Sequence, residues 1–213
     1  MVKGVVRACL VVLCLCAGSA VVNAQLNQRK FEVGAMFTSI TLDNFKARAL
    51  PGIATGDSTI KGLGGRLAYN FTGNIAVDAE GSFFPETHLG NEEFGQKTQG
   101  FIGVKAGVRN KRVGAFAKAR PGVMWFGEFP SRGTCTQTTF GSSCSVSHEK
   151  DFALDLGGVF EFYPAERVFI RADVGDTIIR FPERSLGLFN NPSFIPAETK
   201  HNFQVSIGFG WRF

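Results

Sequence analysis

Gln204-Val205-Ser206-Ile207-Gly208-Phe209-Gly210-Trp211-Arg212-Phe213 alternates small or polar residues with large apolar ones without a fault. Successive side chains of an extended chain point to opposite sides. Val205, Ile207, Phe209, Trp211 and Phe213 therefore share one face of a strand, and Gln204, Ser206, Gly208, Gly210 and Arg212 share the other. The first face is too apolar to meet water. The second is too small and polar for an ordinary protein core. Together they fit a strand with hydrocarbon on one side and the interior of a closed barrel on the other.

Upstream, the same period of two marks seven more segments: Phe31 to Ile40, Thr59 to Phe71, Ile75 to Phe84, Thr98 to Arg109, Arg112 to Phe126, Asp151 to Tyr163 and Val168 to Phe181. Each is near or above the roughly 9 to 11 residues that a tilted strand needs to cross a bilayer. Short turns at 72–74, 110–111 and 164–167 alternate with long loops near 41–57, 85–97, 127–150 and 182–199. An even strand count with both termini on the short-turn side predicts an all-β fold: an eight-stranded antiparallel up-and-down transmembrane β-barrel. The termini and short turns are then periplasmic and the loops external. Pro121 predicts a bulge or slip in the fifth segment, and Asp176 falls on the apolar face of the seventh, which leaves the far half of that strand ambiguous.

A soluble sandwich or lipocalin-like barrel would turn the apolar face inward. Against it stand the glycines and mixed charges of the polar face. So do the aromatics at the strand ends, Phe71, Phe83, Trp125, Phe162, Trp211 and Phe213, which lie where an interfacial girdle belongs.

Gly208-Phe209-Gly210-Trp211-Arg212-Phe213 resembles the Gly-aromatic-Arg-Phe close of small outer-membrane barrels of the OmpA, OmpX and Ail types, and the strand plan of the mature chain is similar to theirs. The resemblance implies residence in the outer membrane of a Gram-negative-type bacterium, among outer-membrane lipid and lipopolysaccharide. It also implies that Phe209, Trp211 and Phe213 form the insertion signal read by the barrel-assembly machinery. With Phe213 as the last residue, the anchoring role of full-length OmpA is not carried over.

The apolar residues, 44% of the chain, are spread rather than blocked, apart from a run over residues 5–22. Lys3 and Arg7 head this run, Ala8 to Leu15 forms its apolar centre, and Val22-Asn23-Ala24 ends it with small residues. It reads as a signal peptide, 1–24, cleaved after Ala24 to leave 25–213 as a single barrel domain. It is short for a retained span and has no partner helix. Cys14 and Cys16 each follow a leucine where a lipoprotein signal needs a small residue.

After cleavage, Cys135 and Cys144 remain in a polar stretch of an exported chain, which predicts one local disulfide. A metal site at this pair would need a His or third Cys at ligand spacing, and none is there. The net charge of +5 falls to +3 on loss of Lys3 and Arg7. The basic residues are scattered among carboxylates, which excludes nucleic acid as a partner.

The lumen-facing set is Glu32, Asp78, Glu80, Asp155, Glu161 and Asp173 against Arg66, Lys105, Arg109, Lys118, Arg120, Arg171 and Arg212. The interior of an eight-stranded barrel has room only for its own side chains, and an unpaired charge away from water is costly, so a salt-bridged plug is expected. The expected role is structural or surface-interacting, with four external loops. A narrow small-solute pore or transporter of the OmpW type is the alternative, although no pathway of one sign marks it.

A lipid-modifying enzyme is a third reading. His88, His148 and His201 lie in or beside loops, and none is followed by the x-Ser of the lipid A deacylase family. Ser147-His148-Glu149 would alternate in direction and cannot form a nucleophile-base-orienter chain. No catalytic residue, cofactor or metal is expected. Leu186, Leu188, Phe189, Phe194 and Ile195 put apolar side chains on the last loop. They either fold back on the rim or meet an external protein or glycan, as the Ail resemblance implies.

Overall fold

The computed structural model describes residues 29–43, 57–85, 87–89, 92–129, 135–138, 141–144, 147–188 and 191–213, of which 87–89, 92–94, 128–129, 135–138, 141–144, 147–149, 184–188 and 191–195 are described as backbone alone. The strands are β1 (Phe31–Leu42), β2 (Ser58–Asn70), β3 (Ile75–Phe84), β4 (Thr87–Leu89), β5 (Glu92–Phe94), β6 (Lys97–Arg109), β7 (Val113–Phe129), β8 (Cys135–Thr138), β9 (Gly141–Cys144), β10 (Ser147–Ala165), β11 (Val168–Phe181), β12 (Arg184–Leu188), β13 (Asn191–Ile195) and β14 (Glu198–Arg212). Eight of them close a barrel in the order β1-β14-β11-β10-β7-β6-β3-β2, every neighbour antiparallel, and no helix occurs among the described residues. The other six form the hairpins β4-β5, β8-β9 and β12-β13 within three of the long loops.

The final stretch makes the seam. Val33 lies opposite Trp211, Ala35 opposite Phe209 and Phe37 opposite Ile207. The ends of the chain complete the ladder, with the Phe213 amide donating to the Phe31 carbonyl at 2.8 Å. A backbone wrapped in hydrocarbon has no water to satisfy it, so this closure, which removes every edge, is what makes the fold viable. The short turns are tight. In the first, the Thr72 hydroxyl accepts hydrogen bonds from the amides of Asn74 at 3.2 Å and Ile75 at 3.0 Å.

Alternation sorts the side chains as expected. Leu63 (69% exposed) and Phe209 (65%) stand on the outer wall, whereas Asp78 and Lys105 are fully buried inside. The segment from Ile75 to Phe84 and that from Val168 to Phe181 have the expected bounds, while the others differ at their ends. β1 and β7 run two and three residues further than expected, and β10 and β14 reach well into the loops on the outer side. Three stretches expected to be irregular contain short hairpins instead.

Pro121 causes no slip. It pairs with Leu154 in an unbroken register on the β10 side. On the β6 side, pairing stops at Phe101–Gly122 and resumes at Val104–Ala119 in the same register. The amide that proline lacks is therefore lost from one ladder without displacing it. The register shifts fall elsewhere, between Phe162 and Ala165, around Pro164, and between Ser147 and Glu149.

The lumen is not polar throughout. Ile40, Leu42, Ile60, Phe84, Phe101, Met124, Phe126, Ala153, Ile179 and Phe181 form a buried apolar cluster inside the barrel toward its loop end. Small residues allow the wall to close around this filling. A Cβ on Gly210 would meet the Val33 carbonyl oxygen at 2.3 Å and the Phe169 ring at 2.4 Å, whereas one on Gly65 would meet nothing nearer than 3.8 Å. Gly210→Ala should therefore destabilise the barrel by about 1–3 kcal/mol. Gly65→Ala should be near neutral, both read from urea unfolding in phospholipid vesicles.

Candidate functional site

The periplasmic half of the lumen is one connected set of ion pairs. β1 supplies Glu32, which lies 3.0 Å from Lys105 of β6, 3.0 Å from Arg109 of β6 and 3.3 Å from Arg212 of β14. Glu161 of β10 faces the same cations, 2.5 Å from Lys105 and 3.0 Å from Arg109. Two neutral groups complete this nest. Tyr163 donates its hydroxyl to Glu161, and Asn70 donates its amide to Glu32 at 2.9 Å.

A second nest is centred on Asp78 of β3. Arg66 of β2 approaches it at 3.3 Å, Arg171 of β11 at 2.8 Å and Arg120 of β7 at 3.4 Å. Arg171 also forms a forked pair with Asp173, both bonds 2.6 Å. Arg120 reaches Asp155 at 2.5 Å and Glu80 at 2.6 Å, and Lys118 reaches Asp155 at 2.9 Å. Arg171 joins the nests through Glu161 at 3.4 Å. The thirteen ionisable residues that the alternation assigned to the lumen thus all fall in it, seven basic and six acidic.

Aromatic rings fill between the charges. Lys105 and Arg109 lie 5.0 and 5.1 Å from the Phe116 ring centre, and Arg212 lies 4.7 Å from that of Tyr163. Outward of the ions comes a neutral belt, in which Ser206 donates to Thr38 at 3.0 Å and Thr177 to Gln204 at 3.0 Å. The apolar cluster follows. Such an arrangement can hold the barrel rigid and fill it. Among the described residues there is no group of three or more His, Cys, Asp or Glu able to hold a metal.

The remaining sequence candidates are scattered. Phe209, Trp211 and Phe213 stand on the outer wall at the periplasmic end. Cys135 and Cys144 are direct cross-strand partners in the β8-β9 hairpin, although their side chains lie outside the described residues. Phe189 lies wholly outside them. Leu186, Leu188, Phe194 and Ile195 belong to the β12-β13 hairpin, where backbone alone is described. The side chains of His88, Ser147, His148 and Glu149 are likewise outside.

Asp176 settles on the outer face. Its carboxylate accepts from His201 Nδ1 at 2.5 Å and from the Asn202 amide at 2.9 Å. Sequence reasoning missed this pair because the two residues are 25 positions apart and only register joins them. It also missed Tyr163 and Asn70, whose place on the inward face the alternation does reveal.

Removing one partner of a buried pair leaves charge uncompensated at a cost of about 3–5 kcal/mol. Arg120→Met, which takes the paired cation from Glu80 and leaves Asp155 with Lys118 alone, should therefore lower the denaturant midpoint far more than Lys61→Met on the outer wall. Gel mobility before and after boiling checks that each variant still closes.

The family described as "Outer membrane protein beta-barrel domain" matches residues 8–213. No curated protein matches the sequence. Among solved structures the chain is similar to Neisserial surface protein A (NspA), with a TM-score of 0.54, 11% identity, and 86% of this chain and 97% of that one covered. It is also similar to the outer membrane protein OprG from Pseudomonas aeruginosa, with a TM-score of 0.53, 11% identity, and 89% and 99% covered. At such identities these likenesses speak for the fold. The closed eight-stranded barrel, its apolar outer wall and the match over nearly the whole chain lead to one conclusion: the protein belongs to the outer membrane protein beta-barrel domain family and resides in a Gram-negative outer membrane.

Proposed function

We propose that the protein is a non-conducting barrel with a structural and surface-presenting role. The observation that carries this reading is the filling of the lumen. The ionic network occupies its periplasmic half, and the cap of Ile40, Phe84, Met124, Phe126 and Ile179, with Lys97 and Asp151 buried beside it, occupies the loop end with almost no exposed surface. A solute would have to displace both an ionic network and an apolar plug, each favourable only when intact. The OmpW-type pore is the competing reading. The protein reconstituted in planar bilayers should give no unitary conductance steps, and reproducible steps would favour the pore.

The role then lies in what the barrel holds outside. Three long loops carry short hairpins, and the last presents Leu186, Leu188, Phe194 and Ile195 as candidates for contact with an external protein or glycan. The final strand, with Phe209, Trp211 and Phe213 on its outer face, is the segment offered to the barrel-assembly machinery.

The β8-β9 hairpin is suited to a covalent staple. Residues directly opposite in an antiparallel pair have Cα atoms about 4.5–5.5 Å apart, within the span of a disulfide. Closing so short a loop contributes roughly 2.5–3 kcal/mol, enough to stiffen the loop and too little to decide the fold. Protein exported to the membrane should resist alkylation at Cys135 and Cys144 until it is reduced, as read by intact mass. Labelling without reductant would show free thiols.

A further inference from the structure

The two ends of the barrel share its charge unevenly. Of the net charge of +3 left after loss of Lys3 and Arg7, the ionic network of the lumen holds +1. Along the lead-in before Phe31 and the turns at 71–74, 110–112 and 164–167, Arg29, Lys30, Lys111, Arg112 and Arg167 stand against Glu166 alone, a side-chain excess of +4. Everything outward of the network therefore sums to −2. The positive excess of the chain is concentrated where the lumen opens to the periplasm.

Scattered in sequence, three of these cations are gathered by register. The Asn70 amide donates to the Lys30 carbonyl at 2.8 Å, the Tyr163 amide to that of Arg112 at 2.8 Å, and the Arg212 amide to that of Arg167 at 2.7 Å. Lys30, Arg112 and Arg167 thus stand directly opposite Asn70, Tyr163 and Arg212, whose side chains belong to the lumen. Cross-strand partners share a face. The next residue of each strand, Phe31, Val113 or Val168, takes the outer face instead. The three cations therefore surround the opening and do not point to lipid.

In the closed strand order, β1 and β7 are four places apart in either direction, and β11 is two places from each. Lys30 and Arg112, at the starts of β1 and β7, accordingly face one another across the mouth, with Arg167 midway on one side. The side facing Arg167 is the uncharged Thr72-Gly73-Asn74 turn. The side-chain carboxylates nearby are engaged elsewhere. Glu166 pairs with Arg29 at 3.2 Å, while Glu32 and Glu161 are buried one layer deeper, each held by Lys105 and Arg109. Lys30, Arg112 and Arg167 are exposed and form no ion pair among the described residues.

The spacing selects the ligand. Neighbouring strands lie about 4.8 Å apart, so cations two strands apart are separated by roughly 10 Å along the wall, more than one phosphate can bridge. A bilayer lipid is badly placed as well, because its headgroup stands outside the wall and not over the axis. A chain of carboxylates suits the spacing, since residues three apart in an extended peptide are also separated by about 10 Å.

We propose that the periplasmic mouth is a docking site for an acidic peptide segment of a periplasmic partner, with Lys30, Arg112 and Arg167 as its anchoring cations. Each arginine can hold a carboxylate through two N–H groups. Arg109 and Arg212, whose side chains are 9% and 13% exposed, form the floor beneath them. The site lies at the opposite end from the external loops, and its occupancy does not depend on whether the lumen conducts.

The test uses the whole barrel, confirmed as closed by gel mobility, in phosphatidylcholine nanodiscs that leave both mouths open. A fluorescein-labelled deca-glutamate peptide is titrated by fluorescence anisotropy. Wild-type protein should bind saturably, and added salt should weaken the binding. Lys30→Gln/Arg112→Gln/Arg167→Gln should weaken it at least about tenfold. Lys61→Gln/Lys150→Gln/Arg180→Gln, which removes the same charge from exposed positions toward the external side, should leave it unchanged. Equal affinity of the two triple variants, or no saturable binding by wild type, overturns the proposal. Retention of phosphatidylglycerol in native mass spectrometry that the first triple variant loses, and that the peptide does not displace, overturns the peptide as the occupant and assigns the mouth to lipid.

Discussion

In a bilayer every backbone amide and carbonyl must find its partner inside the protein, and here that requirement is met at the β1-β14 seam. Once Phe31 and Phe213 are paired, no edge remains, and the two faces of every strand are assigned together. The seam shows what closure demands of the sequence. Gly34 faces Gly210, so backbone approaches backbone there without a side chain between, and Phe169 and Arg66 reach across to fill the space, while Gly208 leaves room beside Met36. Bulk at both Gly34 and Gly210 would hold the wall apart.

The lumen answers a different demand. Replacing buried ion pairs with apolar groups often leaves stability unchanged or improves it, so the network is poorly explained as a source of stability alone. Its distribution fits the specification of register. A one-residue slip of β3 would carry Asp78 and Glu80 to the lipid face, at a cost no alternative pairing could offset. The apolar cap contributes the opposite virtue. Phe84, Met124, Phe126 and Ile179 are buried together between the ionic region and the loop side.

Much of this was legible in the sequence because period-two alternation is strict wherever both faces are constrained. The ten residues ending at Phe213 carry the barrel's inside and outside on their own, and the same pattern assigned Glu32, Arg66, Asp78, Lys105 and Arg171 to the lumen. The apolar cap was less visible. Its members lie on the inward face at the outer strand ends, two positions beyond polar lumen residues, and Leu42 lies past the point where the first strand was expected to stop. Ends are where pairing to a neighbour, not local pattern, decides whether a strand continues. Pro121 illustrates the same limit, since whether a missing amide matters depends on which partner it faced. Asp176 looked anomalous on the outer face until register brought His201 beside it.

The Asp78 nest bears on how the protein comes to exist. Its arginines come from β2, β7 and β11, strands separated by up to 93 positions from the carboxylate they share. No sequential run of strands shorter than β2 to β11 contains all of them. A half-built sheet therefore carries bare charges that would be intolerable in hydrocarbon, and it can keep them only while water still reaches them. The interior must stay hydrated until the last strand arrives, and the water must leave as the ring shuts. Growth of the barrel one strand at a time across the lipid is thus disfavoured, and passage into the membrane is coupled to completion of the circle.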